Sequence, residues 1–131
     1  MHTGGSDAIL VGAKPHPRAW GTFPRYLAHY VRELGVLDLA DCVHHLTGRA
    51  AARLRLVDRG LVRVGHHADL VLFDPDRVQD TATYAHPRQQ ATGIDWVLVD
   101  GEPVLADGVR TPARPGRALR RTATGTRALD R

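Results

Sequence analysis

The chain has 131 residues, of which 43% are hydrophobic and 24% charged, a composition typical of one globular domain with a modest core. This length excludes a complete barrel of eight strand and helix units, which needs about 250 residues. The net charge of +4 is concentrated in residues 109–131, where seven Arg stand against one acid. Because no aromatic residues interleave with these charges, we predict a solvated basic tail and no nucleic-acid partner.

The cysteine count and the hydropathy pattern indicate the compartment. Cys42 is the single cysteine, which excludes a disulfide within the chain and fits a reducing cytoplasm. No apolar run approaches the 18 or so residues of a membrane span, and the first residues lack the features of a signal peptide. We therefore predict a cytoplasmic protein without membrane contact.

The first half of the chain shows helical patterning. Residues 1–22 are rich in Gly and Pro and predict a loop, in which Ala8–Gly12 could pair as a short strand. The apolar spacing from Phe23 to Leu34 predicts an amphipathic helix, with Pro24 in its first turn and Gly35 at its end.

Two further helices are predicted. Asp38 is a suitable N-cap for the next one, and its expected buried stripe consists of Leu39, Val43 and Leu46. After the break at Thr47-Gly48, a third helix is expected over Arg49–Leu56, with Ala50, Ala51 and Leu54 facing inward.

After Gly60 the pattern changes to short runs of β-branched residues bounded by turn formers. Leu61–Val64 and Asp69–Phe73 are predicted strands, and Asp74-Pro75 ends the second because proline cannot donate to a strand ladder. Residues 76–93 indicate a long connection with about one helical turn at most.

The last part of the chain predicts a hairpin. Ile94–Val99 and Glu102–Leu105 flank Asp100-Gly101, which is a type I′ turn signal. Pro103 restricts the second strand to an edge position. Thr122–Arg131 is predicted to be a disordered tail. Together these elements predict an α+β fold.

Three segments carry a family resemblance. Gly5-Ser6-Asp7 is followed by His-Pro-Arg-Ala-Trp-Gly-Thr-Phe-Pro-Arg from His16 to Arg25. Gly65–Pro75 contains Ala-Asp-Leu-Val-Leu-Phe-Asp, and Ala113–Arg117 reads Ala-Arg-Pro-Gly-Arg. Over about residues 5–121 the chain resembles the D-aminoacylase (N-acyl-D-amino-acid deacylase) group of the amidohydrolase superfamily. The string from His16 to Arg25 is the most specific part.

The resemblance implies a division into regions. Residues 1–59 would form the end of the catalytic barrel, namely its last loop and helices. Residues 60–121 would supply the C-terminal strands of the small β-sandwich domain, and 122–131 would be the tail. The expected fold is therefore the C-terminal fragment of an amidohydrolase.

The resemblance also implies a role for Asp7. In this family an Asp at the end of the last barrel strand takes a proton from the metal-bound water and passes it to the leaving amine as a general acid. The same carboxylate would touch a weakly held second metal. Ala8 stands where the family usually has Gly, a departure that bears on the local backbone conformation. A Gly-Ser-Asp triplet by itself indicates only a turn.

The resemblance assigns Arg18 to substrate binding. A planar guanidinium can grip the α-carboxylate of an N-acyl-D-amino acid with two parallel hydrogen bonds. His16 would line the same pocket, or would only fix the loop. The alternative for Arg18 is a surface residue after a proline.

Other titratable residues are expected to be structural. The histidine pairs His44-His45 and His66-His67 indicate a surface pair and a packing substitution. Cys42 fits a small buried residue, and Asp69, Asp74 and Asp100 terminate strands or turns.

Zinc is the cofactor that the resemblance implies for the complete enzyme. A tightly held zinc needs three or four protein ligands, and the family's main ligands are absent from this chain. The resemblance thus implies the C-terminal portion of a zinc-dependent deacylase acting on N-acyl-D-amino acids, inactive alone. The alternatives are an inactive relic or a split-enzyme subunit that needs an N-terminal barrel polypeptide.

Overall fold

The computed structural model describes residues 3–122 and 125–128. Helices occupy the first half and strands the second, so the predicted α+β class is confirmed. Helix α1 spans Arg18–Arg25 and continues as a π-helical segment over Tyr26–Glu33. Helices α2 (Leu39–Leu46) and α3 (Gly48–Leu54) follow.

Helix α1 begins five residues earlier than the apolar spacing indicated. Pro17 occupies the N-cap position with φ −59°, and the His16 ring accepts a hydrogen bond from the Arg18 N–H. Pro24 consequently lies inside the helix and not in its first turn. Proline removes one helical hydrogen bond, and the π register begins two residues later. Gly35, with φ +59°, follows the end of the helix as predicted.

The helix that runs from Arg18 to Glu33 packs on residues 75–80. Ala28 in the helix and Val78 in that segment are both completely buried. Arg32 donates to the carbonyl oxygens of Pro75 and Val78 at 3.0 and 2.7 Å, and to Gln79 Oε1 at 2.7 Å. This contact holds residues 75–80 against the helix that begins at Arg18.

The second helix confirms its predicted cap but not its predicted buried stripe. The Asp38 carboxylate accepts from the backbone N–H groups of Ala40 and Asp41. Cys42 is the fully buried residue, whereas Leu39 and Val43 are each 36% exposed. The helix is therefore rotated relative to the prediction, and burial raises the pKa of the Cys42 thiol.

The third helix is shorter than predicted. It ends at Leu54 because Arg55 adopts the left-handed conformation, with φ +55°. Ala51 is buried as expected, but Leu54 is 59% exposed.

An antiparallel sheet of four strands forms the second half. Strands β1 (Leu70–Phe73), β2 (Ile94–Val99), β3 (Glu102–Ala106) and β4 (Val109–Arg110) lie in the order β1-β2-β3-β4. Asp100 and Gly101 both have positive φ, +53° and +81°, which confirms the type I′ hairpin turn.

Three strand predictions are wrong. Ala8–Gly12 and Leu61–Val64 are not strands, and Val64 is fully exposed. A run of β-branched residues without a pairing partner has no ladder to join. Pro103 lies on an inner strand, because β4 pairs with β3. That pairing involves Leu105 and Ala106 only, so it does not require an N–H from Pro103.

The C-terminal region departs from the predicted tail. Strands β5 (Leu119–Thr122) and β6 (Gly125–Ala128) form a separate two-stranded antiparallel sheet. Strand β6 lies where disorder was expected for Thr122–Arg131. Positions 123–124 and 129–131 of that tail are outside the described residues.

Candidate active site

The structure brings together the two residues on which the functional hypothesis depends. Asp7 Oδ2 lies 3.2 Å from Arg18 Nη2. Asp7 has φ +46°, a conformation that is uncommon for residues other than glycine. Its side chain is 87% exposed, and that of Arg18 is 36% exposed. An ion pair between such accessible groups contributes only about 0.2–1 kcal/mol, so an incoming anion can displace it.

Arg18 retains an unused donor. Its Nε is buried and has no hydrogen-bond partner among the described residues. An unsatisfied buried donor costs about 1–3 kcal/mol. A carboxylate that engaged both Nη2 and Nε would therefore satisfy a group that Asp7 leaves unpaired.

His16 lies beside this pair and supports the helix that carries Arg18. Its Nδ1 accepts the Arg18 backbone N–H at 3.0 Å, and its Nε2 lies 2.9 Å from the Tyr84 hydroxyl. The rings of His16 and Tyr84 meet edge to face, with centroids 5.0 Å apart. His16 therefore contacts Arg18 through the backbone. Sequence reasoning missed Tyr84, which has no local motif to mark it.

The segment carrying Tyr84 is attached to the same helix at a second point. The Arg88 guanidinium lies 5.3 Å from the centroid of the Trp20 ring, and its Nη2 donates to the Gly12 carbonyl oxygen at 2.9 Å. Asp80 pairs with Arg25 at 3.2 Å. Residues 80–88 thus flank α1 along the side that begins at Arg18.

A second charged cluster connects the segment between α3 and β1 to the turn between β2 and β3. His67 Nδ1 lies 2.5 Å from Asp100 Oδ1, and Arg117 Nη2 lies 3.4 Å from Asp100 Oδ2. Arg59 pairs with Asp69, and Asp69 Oδ1 accepts the Asp100 backbone N–H. The hydrogen bond from His67 is the main cause that lowers the pKa of Asp100, with a smaller contribution from nearby charges.

The contacts of this cluster give His67 a structural role. His67 forms a hydrogen bond with Asp100 and is not merely a packing substitution. Arg59 and Arg117 each pair with a carboxylate of the cluster, Asp69 and Asp100 respectively. The cluster borders a cavity of about 450 Å³, whose apolar lining includes Ala51, Leu56 and Val99. The cavity therefore lies between α3, the β2-β3 turn and the segment before β5.

The described residues do not fit a zinc site by themselves. Asp7 offers one exposed carboxylate, already paired with a guanidinium, whereas zinc takes three or four protein ligands. No group of three or more His, Cys, Asp or Glu side chains within residues 3–122 and 125–128 is arranged to hold a metal ion.

None of the helices in the described part combines the length and apolar character that a membrane span requires.

The family comparison defines the class of protein. The model of the Amidohydrolase family matches residues 2–105, and the chain therefore belongs to that family. Two relatives come from Alcaligenes xylosoxydans xylosoxydans. A D-aminoacylase is 50% identical over 91% of this chain and 25% of its own length. An N-acyl-D-aspartate deacylase is 52% identical over 91% of this chain and 24% of its own length.

Solved structures agree with the sequence relatives. A D-aminoacylase crystal structure has a TM-score of 0.81 and 48% identity, covering 83% of this chain and 23% of its own. An N-acyl-D-glutamate deacylase from Bordetella bronchiseptica, complexed with zinc and a phosphonate inhibitor, has a TM-score of 0.75 and 42% identity, covering 79% and 23%. The chain thus spans about a quarter of these relatives' length and corresponds to their C-terminal portion.

Proposed function

We propose that the chain is the C-terminal portion of a zinc-dependent N-acyl-D-amino-acid deacylase. The reaction adds water across the amide bond: the water oxygen bonds to the acyl carbon, the carbon–nitrogen bond breaks, and a carboxylate and a D-amino acid are released. The observation that supports this proposal is the Asp7–Arg18 pair at 3.2 Å, with both groups open to solvent. The predicted regions, residues 1–59 and 60–121, are part of the proposal.

Asp7 would move the proton in this reaction. A carboxylate can accept a proton from the attacking water and return it to the leaving nitrogen, as general base and then general acid. Asp7 is suited to this role because its side chain is 87% exposed. Its short side chain restricts the carboxylate to positions near the backbone.

Arg18 would hold the α-carboxylate of the substrate. Charge-assisted hydrogen bonds contribute about 1.5–3 kcal/mol each, and the guanidinium can form two parallel ones. Displacing Asp7 offsets about 0.2–1 kcal/mol of this gain. His16 would line the pocket and fix the first turn of α1, because its ring already binds the Arg18 N–H.

The proposal includes a partner and a cofactor. The zinc ligands would come from an N-terminal barrel polypeptide, with Asp7 contributing at most one oxygen to a weak second site. The zinc-bound deacylase structure supports a metal for the complete enzyme. The single cysteine supports a cytoplasmic location.

Reconstitution tests the proposal. The chain would be combined with the N-terminal barrel polypeptide of the D-aminoacylase relative, and zinc-dependent turnover of N-acetyl-D-amino acids would be measured. We expect no turnover by the chain alone and measurable turnover by the pair. Hydrolysis by the chain alone would contradict the need for a partner. Complete inactivity of a well-formed pair would favour the inactive relic.

Two variants separate the proposed roles in the reconstituted pair. Asp7→Asn should abolish kcat, because an amide cannot carry the proton, and Asp41→Asn is the control at an exposed acid of α2. Arg18→Ala should chiefly raise KM, by about 30- to 10,000-fold for a net loss of roughly 2–6 kcal/mol. Full activity of Asp7→Asn, or an unchanged KM in Arg18→Ala, would refute the corresponding role.

A further inference from the structure

Tyr84 forms a hydrogen bond with His16 although most of its side chain is exposed to solvent. The side chain belongs to the connection between β1 and β2 and is 73% exposed. Its hydroxyl nevertheless lies 2.9 Å from His16 Nε2, and the two rings meet at an interplanar angle of 75°. Fixing an exposed side chain opposes its conformational entropy, and an exposed hydrogen bond adds little to stability. The arrangement therefore suggests a role at the neighbouring site.

The hydrogen bonds of His16 determine which ring nitrogen carries the proton. The Arg18 backbone N–H can only donate, so His16 Nδ1 must be the acceptor at 3.0 Å. In a neutral imidazole the other nitrogen then carries the hydrogen. His16 Nε2–H consequently donates to the Tyr84 hydroxyl oxygen. The Arg18 N–H thus fixes this tautomer, and the Tyr84 hydroxyl stabilises it by accepting from His16 Nε2–H.

The contacts of His16 and Thr22 hold the backbone of the residue that carries the guanidinium, Arg18. His16 satisfies one of the N–H groups that the start of a helix leaves unpaired, and Thr22 Oγ1 donates to the Arg18 carbonyl oxygen at 2.8 Å. The backbone of Arg18 is therefore held from both sides, while its side chain reaches Asp7. The position of the guanidinium depends on this fixed backbone.

We propose that Tyr84 is a positioning residue for Arg18, acting through the tautomer of His16. The proposal rests on the function proposed above, in which Arg18 binds the substrate carboxylate. Tyr84 touches neither Asp7 nor Arg18 in the contacts of the structure, so it is not assigned a catalytic role. It extends the site to a residue 68 positions from His16 in the sequence.

The Tyr84 hydroxyl can be removed by substitution while other contacts keep residues 80–88 on α1. Arg88 attaches the same connection to Trp20 and to the Gly12 carbonyl oxygen, and Pro87 is buried. Tyr84→Phe keeps the edge-to-face ring contact and removes only the hydrogen-bond acceptor. Tyr30→Phe is the matched control, because Tyr30 is a 40% exposed tyrosine that contacts the Tyr26 and His29 rings.

The experiment measures the tautomer directly. Long-range proton–nitrogen NMR correlations distinguish protonated from unprotonated ring nitrogens in the full chain. We expect His16 Nδ1 to be unprotonated and Nε2 protonated in the wild type and in Tyr30→Phe. In Tyr84→Phe we expect a larger fraction of the other tautomer and a shifted Arg18 amide resonance. Circular dichroism checks that each variant retains its helices.

Ligand binding provides the second measurement. N-acetyl-D-alanine is titrated into the reconstituted pair carrying each variant, prepared without zinc so that the probe is not hydrolysed, with N-acetyl-D-alaninamide as the probe that lacks the carboxylate. We expect Tyr84→Phe to bind the carboxylate probe about two- to tenfold more weakly, the effect of one neutral hydrogen bond. His16→Asn keeps an acceptor for the Arg18 N–H, and its binding should be insensitive to a second substitution at Tyr84.

The outcomes separate this inference from the proposed function. An unchanged His16 tautomer in Tyr84→Phe would overturn the positioning role, whatever the binding data show. A shifted tautomer with equal affinity for the carboxylate probe would also overturn it. Equal binding of the two probes by the wild type would instead refute the function proposed for Arg18. The tautomer shift would then remain as the evidence that Tyr84 acts on His16.

Discussion

Arg32 provides a sharp test of how the helix holds the connection that flanks the candidate site. Arg32→Met keeps the length of the aliphatic stem and removes the donors to Pro75, Val78 and Gln79. Because Val78 has no exposed surface, we expect its carbonyl to lose a charged hydrogen bond worth about 1.5–3 kcal/mol. The two more exposed bonds add roughly 0.5–1 kcal/mol together, since water replaces them. The total predicted loss is about 2–4 kcal/mol.

Urea denaturation measures this loss. With a slope of about 2 kcal/mol per molar urea, the midpoint should fall by about 1–2 M. Arg53→Met on the exposed side of α3 is the control and should leave the midpoint nearly unchanged. A midpoint shift in Arg32→Met no larger than that of the control would refute the reasoning. It would mean that the three hydrogen bonds contribute nothing beyond those the chain makes with water.

Three further predictions concern the sheet and the exposed surface. Because His67 lowers the pKa of Asp100 in the folded chain, the carboxylate stabilises the fold above its ordinary pKa of 3.8, and this stabilisation is lost as the pH falls through the lowered value. Asp100→Asn should therefore flatten the acid side of the unfolding profile; an unchanged slope would contradict the cause assigned. Gly93→Ala should lower the urea midpoint of unfolding, because φ is +74° and the new Cβ would overlap the Arg77 carbonyl, whereas Gly116→Ala in open space should leave the midpoint unchanged. The isolated chain should associate or melt broadly because of its exposed apolar residues, and a monodisperse monomer with a sharp melt would argue against this.

Local chemistry allowed several elements to be predicted from the sequence. Asp38 caps α2 because its carboxylate reaches N–H groups two and three residues away. The Asp100-Gly101 turn follows from two residues that tolerate positive φ. The motif around Arg18 indicated the family, which the comparisons confirmed. The roles proposed for Asp7, His16 and Arg18 stay predictions.

Tertiary structure decided what depended on distant partners. The start of α1 is an exception, because the contact that apolar spacing did not show, from the Arg18 N–H to the His16 ring, is local. Leu61–Val64 has the composition of a strand but does not pair with another strand in the structure. Position in a sheet likewise depends on which strands pair, and so Pro103 could not reveal that β4 would lie beside β3.

The same reason explains the parts of the candidate site that sequence patterns did not show. His16 and Tyr84 lie 68 positions apart, and His67 and Asp100 lie 33 positions apart. Periodicity and turn chemistry report on neighbours within about one or two helical turns. The composition and motifs of this chain thus determined its class and its local turns. Folding alone decided that Tyr84 meets His16 and that Asp100 is paired with His67.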